Sequence, residues 1–174
     1  MRYSTYDLTR WSILTALALA LSVSESLFFP SALFPVPGMR IGLANIVSLL
    51  SIYMFGAIPT MLIVIIRCLI TFAFGGNLTG FLFSLAGGML ALMVMLLLRN
   101  RKTFSLFGVS MGGAAAHTVG QILIAAVLVR SFYVFSYLPV LLLVSIVTGL
   151  LIAALSIPVY KAIGMLRAGA LHDE

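Results

Sequence analysis

Long apolar runs make up nearly all of this sequence, and its charged residues are confined to the gaps between them and to a few isolated positions within them. A helix crosses the hydrocarbon layer of a bilayer, about 30 Å, in roughly 20 residues. The runs lack the every-second-residue alternation of a membrane β-barrel. Only 8% of the 174 residues are charged and 63% are hydrophobic, whereas a soluble domain carries about 25% charged residues. The sequence therefore predicts an all-α, polytopic membrane protein, with residues 1–174 forming a single integral membrane domain.

Six segments are predicted. They run from about Leu8 to Phe29, Met39 to Phe55, Pro59 to Phe74, Leu78 to Leu98, Phe104 to Val129 and Tyr137 to Met165. The first is longer than the 7–15 apolar residues of a signal peptide, and it ends in bulky residues and Pro30, so it is expected to remain as a transmembrane helix. Segments two and three are short and closely joined. In a six-helix count, Arg2, Arg10, Arg99, Arg101, Lys102, Lys161 and Arg167 gather on one face, and Arg40 and Arg130 lie on the other. Basic residues favour the cytoplasmic side, so both termini are expected in the cytoplasm and the protein in the cell membrane.

The stretch Pro35-Val36-Pro37-Gly38-Met39-Arg40-Ile41-Gly42-Leu43-Ala44-Asn45 leads from segment one into segment two. Proline fixes φ and lacks an amide donor, and glycine reaches conformations closed to other residues. Pro35, Pro37 and Gly38 are therefore expected to form a turn, and Arg40 through Asn45 the first helical turns. Two readings of Arg40 stand open: a ligand contact at a helix entrance, or an interfacial arginine reaching for lipid headgroups.

Further polar residues within the spans include Glu25, Arg67, His117 and Gln121. His117 and Gln121 are four apart and share a helix face. With Arg40 and Asn45 they are expected to converge as a substrate-binding group, since polar groups inside a bundle mark ligand sites. Its slightly positive fixed charge suits an anionic or strongly polar small molecule. Each also has a structural reading: an ion pair for Glu25, an interhelical hydrogen bond for His117. Small residues recur at helical spacing. They include Ala16 and Ala20, the series from Gly76 to Gly88, and that from Gly108 to Gly120. Such stripes let backbones approach closely in lipid.

What the sequence lacks also constrains function. Its acidic residues are Asp7, Glu25, Asp173 and Glu174, with no paired carboxylates to hold Mg²⁺ on a diphosphate. Two histidines and the lone Cys68 support neither zinc nor haem. No cofactor, metal or catalytic residue is expected, and the chain is not expected to be an enzyme. There is no phosphate-binding P-loop, so active transport would need a separate motor. The net charge of +6 sits at segment ends rather than on a stripe, which argues against nucleic acid.

The segments Gly38 to Asn45, Ser84-Leu85-Ala86-Gly87-Gly88 and Gly112 to Gln121 resemble the Gx transporter family, whose proteins are often labelled component I of heptaprenyl diphosphate synthase. Thr118 stands where that family often has asparagine. The family is similar to the substrate-binding S components of energy-coupling factor (ECF) transporters. The resemblance implies a six-helix protein that binds a nutrient or cofactor precursor from outside. It also implies partnership with a transmembrane coupling subunit and an ATPase pair, with Ala16 and Ala20 matching an alanine-x-x-x-alanine docking face on helix one. A second implication is a non-catalytic membrane partner in prenyl diphosphate or quinone metabolism, or of a quinone-linked redox system.

Overall fold

A computed structural model describes residues 4–28, 40–101 and 103–170, with side chains as far as 161. All six predicted segments become helices: α1 (Thr5–Phe28), α2 (Asn45–Phe55), α3 (Ala57–Ala73), α4 (Leu78–Arg99), α5 (Leu106–Val129) and α6 (Leu138–Ala170). A short 3₁₀ helix, Phe132–Tyr137, links the last two. Among the described residues, α1, α4, α5 and the run from Phe132 to Lys161 are long and apolar enough to cross a membrane. α2 and α3 are shorter, as their spacing in the sequence predicts. The turn expected at Pro35, Pro37 and Gly38, and the charges of Arg2 and Lys102, lie outside the described residues.

The shortest α-helix, α2, occupies the centre. Residues Asn45 to Ile52 of α2 are all buried, and α2 touches every other helix. A helix apolar on all sides is stable only when enclosed. Leu49 and Ile52 pack with Leu92, Met95, Val109 and Ile152 from α4, α5 and α6. On its other side Val47 meets Ala18 of α1 and Ile63 of α3. A third cluster, Phe83, Ile122, Ala125 and Val134, joins α4, α5 and the 3₁₀ helix. Exposed leucines, isoleucines and valines on α1, α5 and α6 form the surface that meets lipid.

Contacts between helices fix the up-and-down order. Thr60, early in α3, donates to Ser51, late in α2, at 2.9 Å. Arg99, at the end of α4, donates to the Ile52 carbonyl near the end of α2 and sits over the Tyr53 ring, 5.9 Å from its centroid. That bond adds a cationic cap to the end of α2, where the same carbonyl also accepts the Gly56 amide. The end of the bundle where α1 ends and α2 begins is called the far end below. The glycine stripes act as close-packing surfaces: a Cβ on Gly120 of α5 would stand 2.8 Å from the Ala86 carbonyl of α4.

Candidate functional site

The expectation that Arg40 opens a helix is corrected by the structure. Residues 40–42 are non-helical, Leu43 and Ala44 form a turn, and α2 starts at Asn45. Gly42 has φ +91°, a left-handed conformation that no residue with a Cβ adopts cheaply. This backbone lies within the bundle, because its partner Gln121 sits ~12 Å short of the end of α5. Non-helical backbone there must be satisfied by protein. Glu25 and Gln121 do this. The Gly42 and Leu43 amides donate to the two Glu25 carboxylate oxygens at 2.8 and 2.9 Å. The Arg40 amide donates to Gln121 Oε1 at 2.9 Å, and Gln121 Nε2 donates to the Arg40 carbonyl at 2.7 Å. Both side chains are buried, and their polar atoms hold the segment from Arg40 to Leu43 in place.

Behind this segment lies a second set of polar groups, most of them without partners. Asn45, Arg67, Ser84 and His117 are all buried. Among the described residues, both polar side-chain atoms of Asn45, Arg67 Nη2, Ser84 Oγ and His117 Nε2 have no hydrogen-bond partner, and His117 Nδ1 has only a loose approach to the Gly87 backbone. Three glycines make room for them. A Cβ on Gly42 would stand 2.9 Å from Asn45 Nδ2 and 3.2 Å from His117 Nε2. One on Gly87 would stand 2.8 Å from His117 Nδ1, and one on Gly88 would stand 3.2 Å from Arg67 Nη2. The Gly87-Gly88 pair thus lets α3 and α5 press polar side chains against α4. Arg67 is anchored on its other edge, where Nη1 donates to Ser22 Oγ of α1 at 3.1 Å.

A cavity of about 480 Å³ opens between α1, α3 and α4 at the far end. Glu25, Arg40, Cys68 and Ser84 contribute to its lining, and Phe72 and Phe81 form part of its wall. Those two rings pack with centroids 5.3 Å apart. Asn77 caps α4 at the rim, its side chain accepting from the Gly80 amide at 2.6 Å.

The predicted site residues therefore gather at one level but divide by task. Glu25 and Gln121 hold backbone, Arg40 lines the cavity, and Asn45, Arg67 and His117 sit behind it. Sequence reasoning did not single out Ser22 or, as a polar group, Ser84. The signal available for Ser84 was its place one turn before Gly88 on the α4 stripe. Ala16 and Ala20 are exposed on α1, and Ala16 borders an apolar groove between α1 and α3. The loop from Pro30 to Gly38, expected to cap the pocket, lies outside the described residues.

Comparison with known proteins places this arrangement in context. No curated protein matches the chain. A solved structure of the S component of a bacterial ECF transporter shares the fold, with a TM-score of 0.68 at 18% identity over 91% of this chain and 95% of that one. Residues 14–158 match the model of the family described as heptaprenyl diphosphate synthase component I. That match spans most of the sequence, and on it the chain belongs to the heptaprenyl diphosphate synthase component I family.

Proposed function

We propose that this protein is the substrate-binding membrane subunit of an ECF-type importer for a small nutrient or cofactor precursor, dependent on partners for ATP hydrolysis. The observation that carries the reading is a cavity with a polar floor at the far end of a fold shared with an S component. Its size falls within the roughly 300–1,000 Å³ of small-molecule sites. On the charge asymmetry of the sequence, both termini lie in the cytoplasm, so the cavity opens outward. Arg40 and Ser84 line it, Asn45, Arg67 and His117 supply the polar layer behind them, and Glu25 and Gln121 are positioning residues. The absence of a P-loop from the sequence makes an ATPase pair and a coupling subunit necessary partners.

Ala16 and Ala20 supply the docking face. They are one helical turn apart, exposed, and small enough for a partner backbone to approach. Co-expression with an ECF coupling subunit and its ATPases tests this. The wild-type chain should co-purify with them, and Ala16→Trp with Ala20→Trp should abolish capture while the variant stays folded. Equal capture of both proteins would remove the docking role.

The family description favours a second reading, a membrane partner of a prenyl diphosphate synthase. Among the described residues there is no acidic cluster for a magnesium diphosphate, and the Glu25 carboxylate is engaged by the amides of Gly42 and Leu43. The same pull-down separates the two: recovery of a soluble synthase in place of the coupling module selects the second.

A further inference from the structure

The charges around the cavity do not balance. Arg40 and Glu25 line the cavity, and Arg67 is buried behind it. That is two guanidinium groups against one carboxylate. The sequence has only three other acids, Asp7, Asp173 and Glu174. Asp7 is ~27 Å from Glu25 along α1, and the other two lie outside the described residues. Residues 29–39, which join α1 to this segment, contain no charged residue. Among the described residues the other carboxylate, Asp7, is too far away to answer the second cation, and excess charge in a low-dielectric interior is normally answered by a partner.

The unpaired donors show where that partner belongs. Ser22 fixes one edge of the Arg67 guanidinium and leaves Nη2 without an acceptor. Ser84, whose hydroxyl is also unpartnered, lies one turn from Gly88, against which Nη2 rests, and lines the cavity. Cys68, the residue after Arg67, lines it too. A guanidinium fork with one free edge, beside a free hydroxyl, is suited to an oxyanion. A single negative charge balances the group; a dianion overshoots and a cation doubles the imbalance. Above this floor the wall is aromatic, with Phe72 and Phe81.

We infer that the cavity takes a small molecule bearing one singly charged oxyanion, such as a carboxylate, on Arg67 and Ser84, with an apolar ring system against Phe72 and Phe81. This rests on the binding-subunit reading and names the chemical class of its ligand.

The test uses the full chain in an uncharged detergent and follows its melting temperature with 2-naphthoate, its uncharged amide 2-naphthamide and the cation 2-naphthylmethylamine. Naphthoate should stabilise saturably and bind at least tenfold more tightly than the amide, and the amine should not stabilise. Ser84→Ala, a change of one atom, should weaken naphthoate about tenfold and leave the amide unaffected. Arg67→Lys should reduce the preference for naphthoate, and Arg67→Gln should abolish it. Equal stabilisation by naphthoate and its amide, or by none of the probes, overturns the inference. A lipid phosphodiester is the other source of such an oxyanion. In phosphatidylcholine nanodiscs, added phosphatidylglycerol should leave the naphthoate response intact; if it stabilises the protein and removes that response, a headgroup is the occupant and the inference fails. Capture by the coupling module is measured without ligand. Loss of charge selectivity with capture intact discards this inference alone, and loss of capture discards the importer reading.

Discussion

Glu25→Ala offers the most direct test of how the far end is built. The carboxylate accepts from the Gly42 and Leu43 amides at 2.8 and 2.9 Å, and the residue is 2% exposed. Removing it leaves two amides without their charged acceptor at the edge of the cavity. A hydrogen bond to a charged group contributes about 1.5–3 kcal/mol, so losing both should cost about 3–6 kcal/mol locally. At 1.4 kcal/mol per tenfold, that is at least ~100-fold easier opening of the segment. Hydrogen exchange on ligand-free protein in detergent reads this directly. Peptides covering residues 40–44 should lose protection by that factor, while those covering α5 and α6 should change little. Glu25→Gln should fall between, because its amide oxygen still accepts one of the two bonds. If Glu25 served the ligand alone, exchange without ligand would be unchanged in Glu25→Ala, and that result would refute the clamp.

Gly42→Ala should destabilise the protein by about 1–2 kcal/mol from its positive φ alone, and further because the new Cβ would crowd Asn45 and His117. Gly75→Ala has a similar φ of +97° but nothing within 4 Å of the added atom, so a thermal melt with Gly42→Ala no worse than Gly75→Ala would remove the crowding argument. For orientation, a single cysteine at Asn100 should resist impermeant labelling from outside intact cells while one at Phe132 reacts; the reverse pattern overturns the cytoplasmic placement of the termini.

Much of this architecture is legible in the sequence because lipid imposes a simple rule. Apolar runs of sufficient length become helices, so segments one, four and five appear within a few residues of their predicted bounds. Segment two departs from that rule. Its apolar pattern continues through Ile41, Leu43 and Ala44, and composition alone extends the helix back to Met39. What stops it is tertiary: a carboxylate 17 positions away and an amide 81 positions away compete for the backbone. No local pattern encodes those partners, and Gly42 was the one local mark of the break. The same limit applies to the site. That Glu25, Arg40, Asn45, Arg67, His117 and Gln121 would lie near one another follows from counting helices. Which of them hold backbone and which remain unpaired depends on side-chain reach across α1, α2 and α5, and spacing carries no information about that.

The clamp on residues 40–43 also has a consequence for biosynthesis. The chain is made from its N-terminus, so Glu25 is already in place when Gly42 and Leu43 arrive, and their amides find partners within one helical pair. Arg40 has no such neighbour. Both of its backbone groups pair with Gln121, which is synthesised three helices later. α2, at 11 residues and ~16 Å, is too short to cross the bilayer unaided and turns through Gly56 directly into α3. It therefore inserts with α3 as a hairpin whose leading edge is only partly satisfied. Gln121 arrives only with α5, so a chain arrested before residue 121 leaves the Arg40 backbone groups without these partners.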